Sequence, residues 1–124
     1  MGDDEFAAEY TDFIERVYII SEKARKEGLL AVEKMIDENK YINRDVFELG
    51  LRLAIDGADG ELIKKILTNI VELEEDKNKK LLKNIQKEAA LAIQEGLNPR
   101  SLMLLLNSYV TINIEETMKK YNAE

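Results

Sequence analysis

Few side chains in this sequence could do chemistry. Histidine and cysteine are both absent, which removes the commonest metal ligands and general bases. Carboxylate metal sites in helical bundles draw on a Glu-x-x-His element, which cannot be written without histidine. Ser21, Ser101 and Ser108 have no imidazole to activate them, and no motif supports a Ser–Lys pair. The nearest calcium-like string is "DGADGE" at 56–61. An EF-hand loop needs oxygen ligands at its first, third and fifth positions. Ala58 stands third and the alternate spacing fails, so two adjoining helix caps are the better reading. The same string lacks the Gly-Lys-Ser/Thr ending of a phosphate loop and is itself anionic. The expectation is a protein that is not an enzyme, with no cofactor, no metal and no small-molecule substrate.

Charge narrows the partners further. The chain has 25 acidic and 18 basic residues among 124, a formal net charge of −7. That balance repels nucleic acid and anionic lipid, so nucleic acid is not expected as a partner. The N-terminal stretch "MGDDEFAAEY" lacks the apolar core of a signal peptide. It also has Phe6 where a myristoylation motif wants Ser or Thr. The longest apolar runs are short, such as "LMLLL" at 102–106, against the roughly 20 residues needed to cross a bilayer. A single soluble domain spanning 1–124, without direct membrane insertion and without disulfides, is expected.

The elements that must position any functional residue read as helices, because apolar residues recur at spacings of three and four. The first runs from about Asp4 to Lys26, with Phe6, Tyr10, Phe13, Ile14, Val17, Ile20 and Ala24 on one face. Gly28 either ends it or sits inside a continuous helix, because a helix interior disfavours Gly by about 1 kcal/mol relative to Ala. Leu29, Val32 and Ile36 continue the pattern as far as "DENK". Asn43 is the expected N-cap of the next helix, "RDVFELGLRLAID", burying Val46, Phe47, Leu49, Leu53 and Ile55. Asp56-Gly57 ends that helix, and Asp59 caps the following one.

From Glu61 to Glu95 no proline or glycine interrupts the helical pattern. Leu62, Ile63, Ile66, Leu67, Ile70, Val71 and Leu73 make one apolar stripe. Leu81, Leu82, Ile85, Ala89, Leu91 and Ile93 make another. Between them "EEDKNKK" (74–80) has no apolar residue. Either 61–95 is an antiparallel hairpin with Asp76 and Asn78 as turn residues, or it is one long helix in a dimer, both stripes covered by a second chain. Gly96 ends the segment, Asn98 and Pro99 open the next helix, and a short final helix runs from about Asn113 to Tyr121, with Glu116 in capping-box position. The fold class expected is all-α, a compact bundle of about five to six helices.

Three stretches in order resemble the cytoplasmic region of the flagellar motor stator family of motility protein A (MotA), related to the TolQ and ExbB proton-channel proteins. They are "SEKARKEGLLAVEKMI" (21–36), "FELGLRLAIDGADGELIKKIL" (47–67) and "ALAIQEGLNPRSLMLLLNSYV" (90–110). The resemblance implies a helical cytoplasmic region that reaches the rotor. It also implies that an arginine and a glutamate, here Arg25 and Glu33, make electrostatic contact with the rotor protein FliG. The family's transmembrane helices have no counterpart; "EEDKNKK" stands where the last two would be, so no ion conduction is expected from these residues. The family topology favours the hairpin. The resemblance therefore implies a protein-interaction module at the cytoplasmic face of the flagellar motor, contacting FliG or stator subunits. The last fourteen residues, "TINIEETMKKYNAE", fall outside it.

Two alternatives stand beside this. Arg25 and Glu33 are ordinary solvated charges in the simplest reading, since isolated surface charges contribute little. The chain as a whole also reads as a soluble helical scaffold or homo-oligomer no longer tied to the motor, using its two apolar stripes.

Overall fold

A computed structural model describes residues 1–36, 45–110 and 114–121. Six α-helices carry them: α1 (Asp3–Glu27), α2 (Val46–Ile55), α3 (Gly60–Leu73), α4 (Lys77–Glu95), α5 (Pro99–Asn107) and α6 (Ile114–Tyr121). A 3₁₀ segment, Leu29–Met35, follows α1. Among the described residues there is no strand.

Local chemistry accounts for most of the boundaries. Asp45, Asp59, Asp76 and Asn98 each stand before a helix and accept a hydrogen bond from the backbone N–H three residues on. Each thereby satisfies one of the N–H groups that a helix start leaves without a partner. The cap of α2 is Asp45, so that helix begins later than the sequence suggests; Asn43 lies outside the described residues. At the α2 end the Ala58 N–H reaches the Leu53 carbonyl at 3.0 Å, and at the α4 end the Leu97 N–H reaches Ala92 at 3.0 Å. Both are Schellman closures around a glycine, Gly57 and Gly96.

The segment 61–95 is a helical hairpin. α3 stops at Leu73 and α4 starts at Lys77, and the two pack against each other. Asp76 acts as a turn residue by capping α4. Asn78 does not: it lies inside the first turn of α4, where its amide donates to the Asp3 carboxylate at 2.9 Å. The long-helix alternative fails because Asp76 offers its carboxylate to Lys79 N and takes an extended backbone, which starts a new helix. Lys83 closes the turn from the α4 side, its Nζ 2.9 Å from Glu74 Oε1.

α4 is the central helix. Residues 89–93 are buried without interruption, packed among α1, α2, α3 and α5. That is possible because three of the five are alanines. The closest approach is from α2, where a Cβ added to Gly50 would lie 2.6 Å from Ala90 Cβ and 2.9 Å from Leu67 Cδ1. Gly50 and Leu51 therefore share the buried face of α2 with Val46 and Phe47, and the expected Leu49, Leu53 and Ile55 are only partly buried. On α3, Ile63, Leu67 and Val71 are buried, whereas Leu62 and Leu73 at the edge of the stripe are 49% and 81% exposed.

α1 lies across this arrangement along its predicted face. Its first turn carries Asp3, Asp4 and Glu5 and its last turn Arg25 and Lys26, the charge order that opposes the helix dipole. Phe13 meets Phe47 edge-on, with centroids 5.2 Å apart, and the Arg16 guanidinium sits 5.5 Å from both rings. Tyr10 donates its hydroxyl proton to Asn107 Oδ1, which ties α1 to α5. Tyr18 packs on Tyr121, which ties α1 to α6. Asn113, the expected cap of that last helix, lies outside the described residues.

Candidate protein-interaction site

The two charges singled out by the sequence lie on either side of a forced bend. Gly28 has φ 91° and ψ 164°, a region that is essentially glycine-only. Its N–H still closes α1 on the Ala24 carbonyl at 2.9 Å, and its own carbonyl accepts from Ala31 at 3.2 Å. Gly28 thus ends one helix and starts the 3₁₀ segment, which resolves the two readings of this glycine. Arg25 stands in the last turn of α1 and Glu33 in the 3₁₀ segment.

The bend does not bring Arg25 and Glu33 onto each other. Arg25 Nη1 donates to the Gly96 carbonyl at 2.9 Å. This oxygen lies at the C-terminal end of α4, a helix with no basic residue in its own last turn. α1 therefore supplies the cation that the negative end of α4 lacks. Beside the contact is a small cleft of ≈ 210 Å³ lined by Ser21, Ala24, Leu29 and Ile93.

Glu33 turns to a different element. Its Oε2 accepts from Arg52 Nη1 of α2 at 2.7 Å, and the same nitrogen is 3.8 Å from Asp56 Oδ1. The Arg52 side chain is only 11% exposed and that of Glu33 is 44% exposed. A nearly buried guanidinium needs carboxylates close by, because desolvation of an unpaired charge is costly. Arg52 was missed by reading the sequence. Its i, i+4 spacing to Asp56 was a weak signal, but nothing local points to a partner nineteen residues upstream.

A second arginine went unnoticed for the same reason. Arg16 of α1 reaches Asp45 Oδ2 at 2.5 Å and Glu48 Oε1 at 2.9 Å, both at the start of α2. Asp45 simultaneously caps α2 through Glu48 N. One guanidinium therefore fixes the entry of α2 against α1, and α2 in turn carries Arg52.

Arg25 and Glu33 are both held and both still reachable. Arg25 is exposed and spends one of its five N–H donors on Gly96. Glu33 spends one carboxylate oxygen on Arg52. The arrangement can present a fixed positive and a fixed negative group to another surface. Among the described residues no group of acidic side chains could hold a metal ion, and no helix is long and apolar enough to cross a membrane.

The chain is similar to curated proteins named Motility protein A. It is 33% identical over 86 residues to that of Treponema pallidum (strain Nichols) and 31% identical over 86 residues to that of Treponema phagedenis, in each case 69% of this chain and 32% of the relative. It is 52% identical over 48 residues to that of Borreliella burgdorferi, 39% of this chain and 17% of the relative. The chain thus spans about a third of the length of the two Treponema relatives. No family model matches it, and no solved structure matches it.

Proposed function

We propose that the chain is a non-enzymatic interaction module of the flagellar motor, contacting the rotor protein FliG or stator subunits at the cytoplasmic face through Arg25 and Glu33. The relationship to motility protein A supports a motility role. The observation that carries the site is the pair of anchored charges beside Gly28: Arg25 on Gly96 and Glu33 on Arg52. Both side chains are ordered before a partner arrives, so docking costs less side-chain entropy. The partner surface would offer a carboxylate to Arg25 and a cation to Glu33.

The test is binding of the purified chain to FliG and, separately, to stator subunits, with affinity purification from its own cells to identify which is met. Arg25→Glu and Glu33→Lys should each weaken binding about five- to tenfold, the size of a lost interfacial charge contact. Unchanged affinity in both variants would remove these residues from the interface. If neither protein binds the unaltered chain, the motor reading fails as a whole.

A scaffold role is the second reading, favoured by Leu62 and Leu73, which leave α3 with an exposed apolar edge. Sedimentation showing a concentration-dependent dimer that Leu73→Gln abolishes would support it.

A further inference from the structure

A second surface adjoins the Arg25 cleft, with which it shares Gln94 and Leu97. The start of α3, the C-terminal half of α4 and α5 enclose an open groove of ≈ 730 Å³. Its apolar lining includes Leu91, Leu97 and Leu105, and Leu97 is 37% exposed although it sits between two helices. Its rim carries Asp59, Glu61, Glu88 and Glu95 against one cation, Lys64. Glu61 and Glu95 form no ion pair among the described residues. Glu95 also stands at the negative end of the α4 dipole, where a carboxylate is unfavourable unless a cation faces it. Arg25 answers the Gly96 carbonyl, but the groove side of the same turn has no such partner.

We infer that this groove docks a cationic amphipathic helix of a protein partner, with apolar side chains on Leu91, Leu97 and Leu105 and Lys or Arg against Glu61 and Glu95. Charge complementarity selects the occupant: the rim is a net anion around an apolar floor, so an acidic or purely apolar segment would be repelled or left unpaired. A helix suits the site because the walls are helices and no strand edge is on offer among the described residues. The volume is within the range of about 300–1,000 Å³ in which compact ligand sites fall, enough for the side chains of a short helix face. This goes beyond the motor reading and does not depend on it.

The probe is a synthetic amphipathic Leu/Lys peptide of about 15 residues, long enough to form a helix on binding, titrated into the isotopically labelled full chain. Amide shifts should concentrate at Gly60, Glu95 and Leu97. Because any acidic protein attracts a cationic peptide, two double variants of equal charge are compared. Glu61→Lys with Glu95→Lys should weaken binding about tenfold, two rim attractions having become repulsions. Glu15→Lys with Glu75→Lys, away from the groove, should change it less than about twofold. Leu97→Gln, which keeps the charge, should also weaken binding. Equal weakening in both double variants, or shifts spread over the whole surface, would overturn the proposal.

Discussion

The guanidinium of Arg25 and the carbonyl of Gly96 meet across 2.9 Å, although 71 residues separate them in the chain. Through this contact the last turn of α1 closes the last turn of α4. The residue proposed to face a partner therefore also has work inside the molecule. Arg25→Ala should lower stability by about 0.5–1 kcal/mol, the range for a hydrogen bond and a dipole contact near the surface. Urea unfolding measures this, and the loss should shrink at high salt.

Glu33 is coupled to Arg52 in the same way. Glu33→Gln keeps an acceptor but removes the charge, and should cost about 0.5–1 kcal/mol. Arg52→Ala should cost more, because it also strips packing from a side chain only 11% exposed. A double-mutant cycle on the two residues, read from denaturation midpoints, should give a coupling energy above about 0.5 kcal/mol. Any effect of Glu33 on partner binding must be read after this correction.

Gly28 is required by its backbone. At φ 91°, ψ 164°, Gly28→Ala should cost about 1–3 kcal/mol, although nothing lies within 4 Å of where the methyl would go. The loss comes from strain alone, so no compensating deletion nearby should restore it.

Gly50 makes the opposite case. Its backbone is helical, but Gly50→Ala drives a methyl to 2.6 Å from Ala90 Cβ and 2.9 Å from Leu67 Cδ1. Overpacking of this kind costs about 1–3 kcal/mol. Ala90→Gly in the same chain should recover part of the loss, and thermal unfolding of the three variants tests it.

Stability should fall at both ends of the pH range for identifiable reasons. The Lys83 ammonium and then the Asp76 N–H hold the Glu74 carboxyl below its ordinary 4.5. A depressed carboxyl stabilises the fold above that value, and the contribution is lost as pH falls through its lower folded value. Burial, with Tyr121 a lesser cause, raises the Tyr10 phenol above its ordinary 10.0. Its contribution is complete below pH 10 and is lost as pH rises beyond it. Glu74→Gln should flatten the acid limb and Tyr10→Phe the alkaline limb of unfolding free energy against pH.

Helix identity was legible because its signals are short-range. The caps Asp59 and Asn98, the first-turn Pro99 and the glycine stops Gly57 and Gly96 stand where the sequence predicts them, because each acts within one turn of backbone. The buried face of α1 was legible from its period for a similar reason. The start of α2 stands later than the sequence suggests because Asp45, which Arg16 of α1 also holds, is its cap.

Composition and pattern by themselves determined an all-helical acidic chain with no histidine or cysteine, and the resemblance to the motility protein A family pointed to Arg25 and Glu33. Tertiary structure decided whether "EEDKNKK" bends and whether Gly28 breaks its helix. It also decided what each charge touches and why Gly50 has no side chain. The division follows from range. Caps and periodicity are written within about four residues, whereas the pairings of Arg25 with Gly96, Glu33 with Arg52 and Gly50 with Ala90 exist only once distant segments pack around α4.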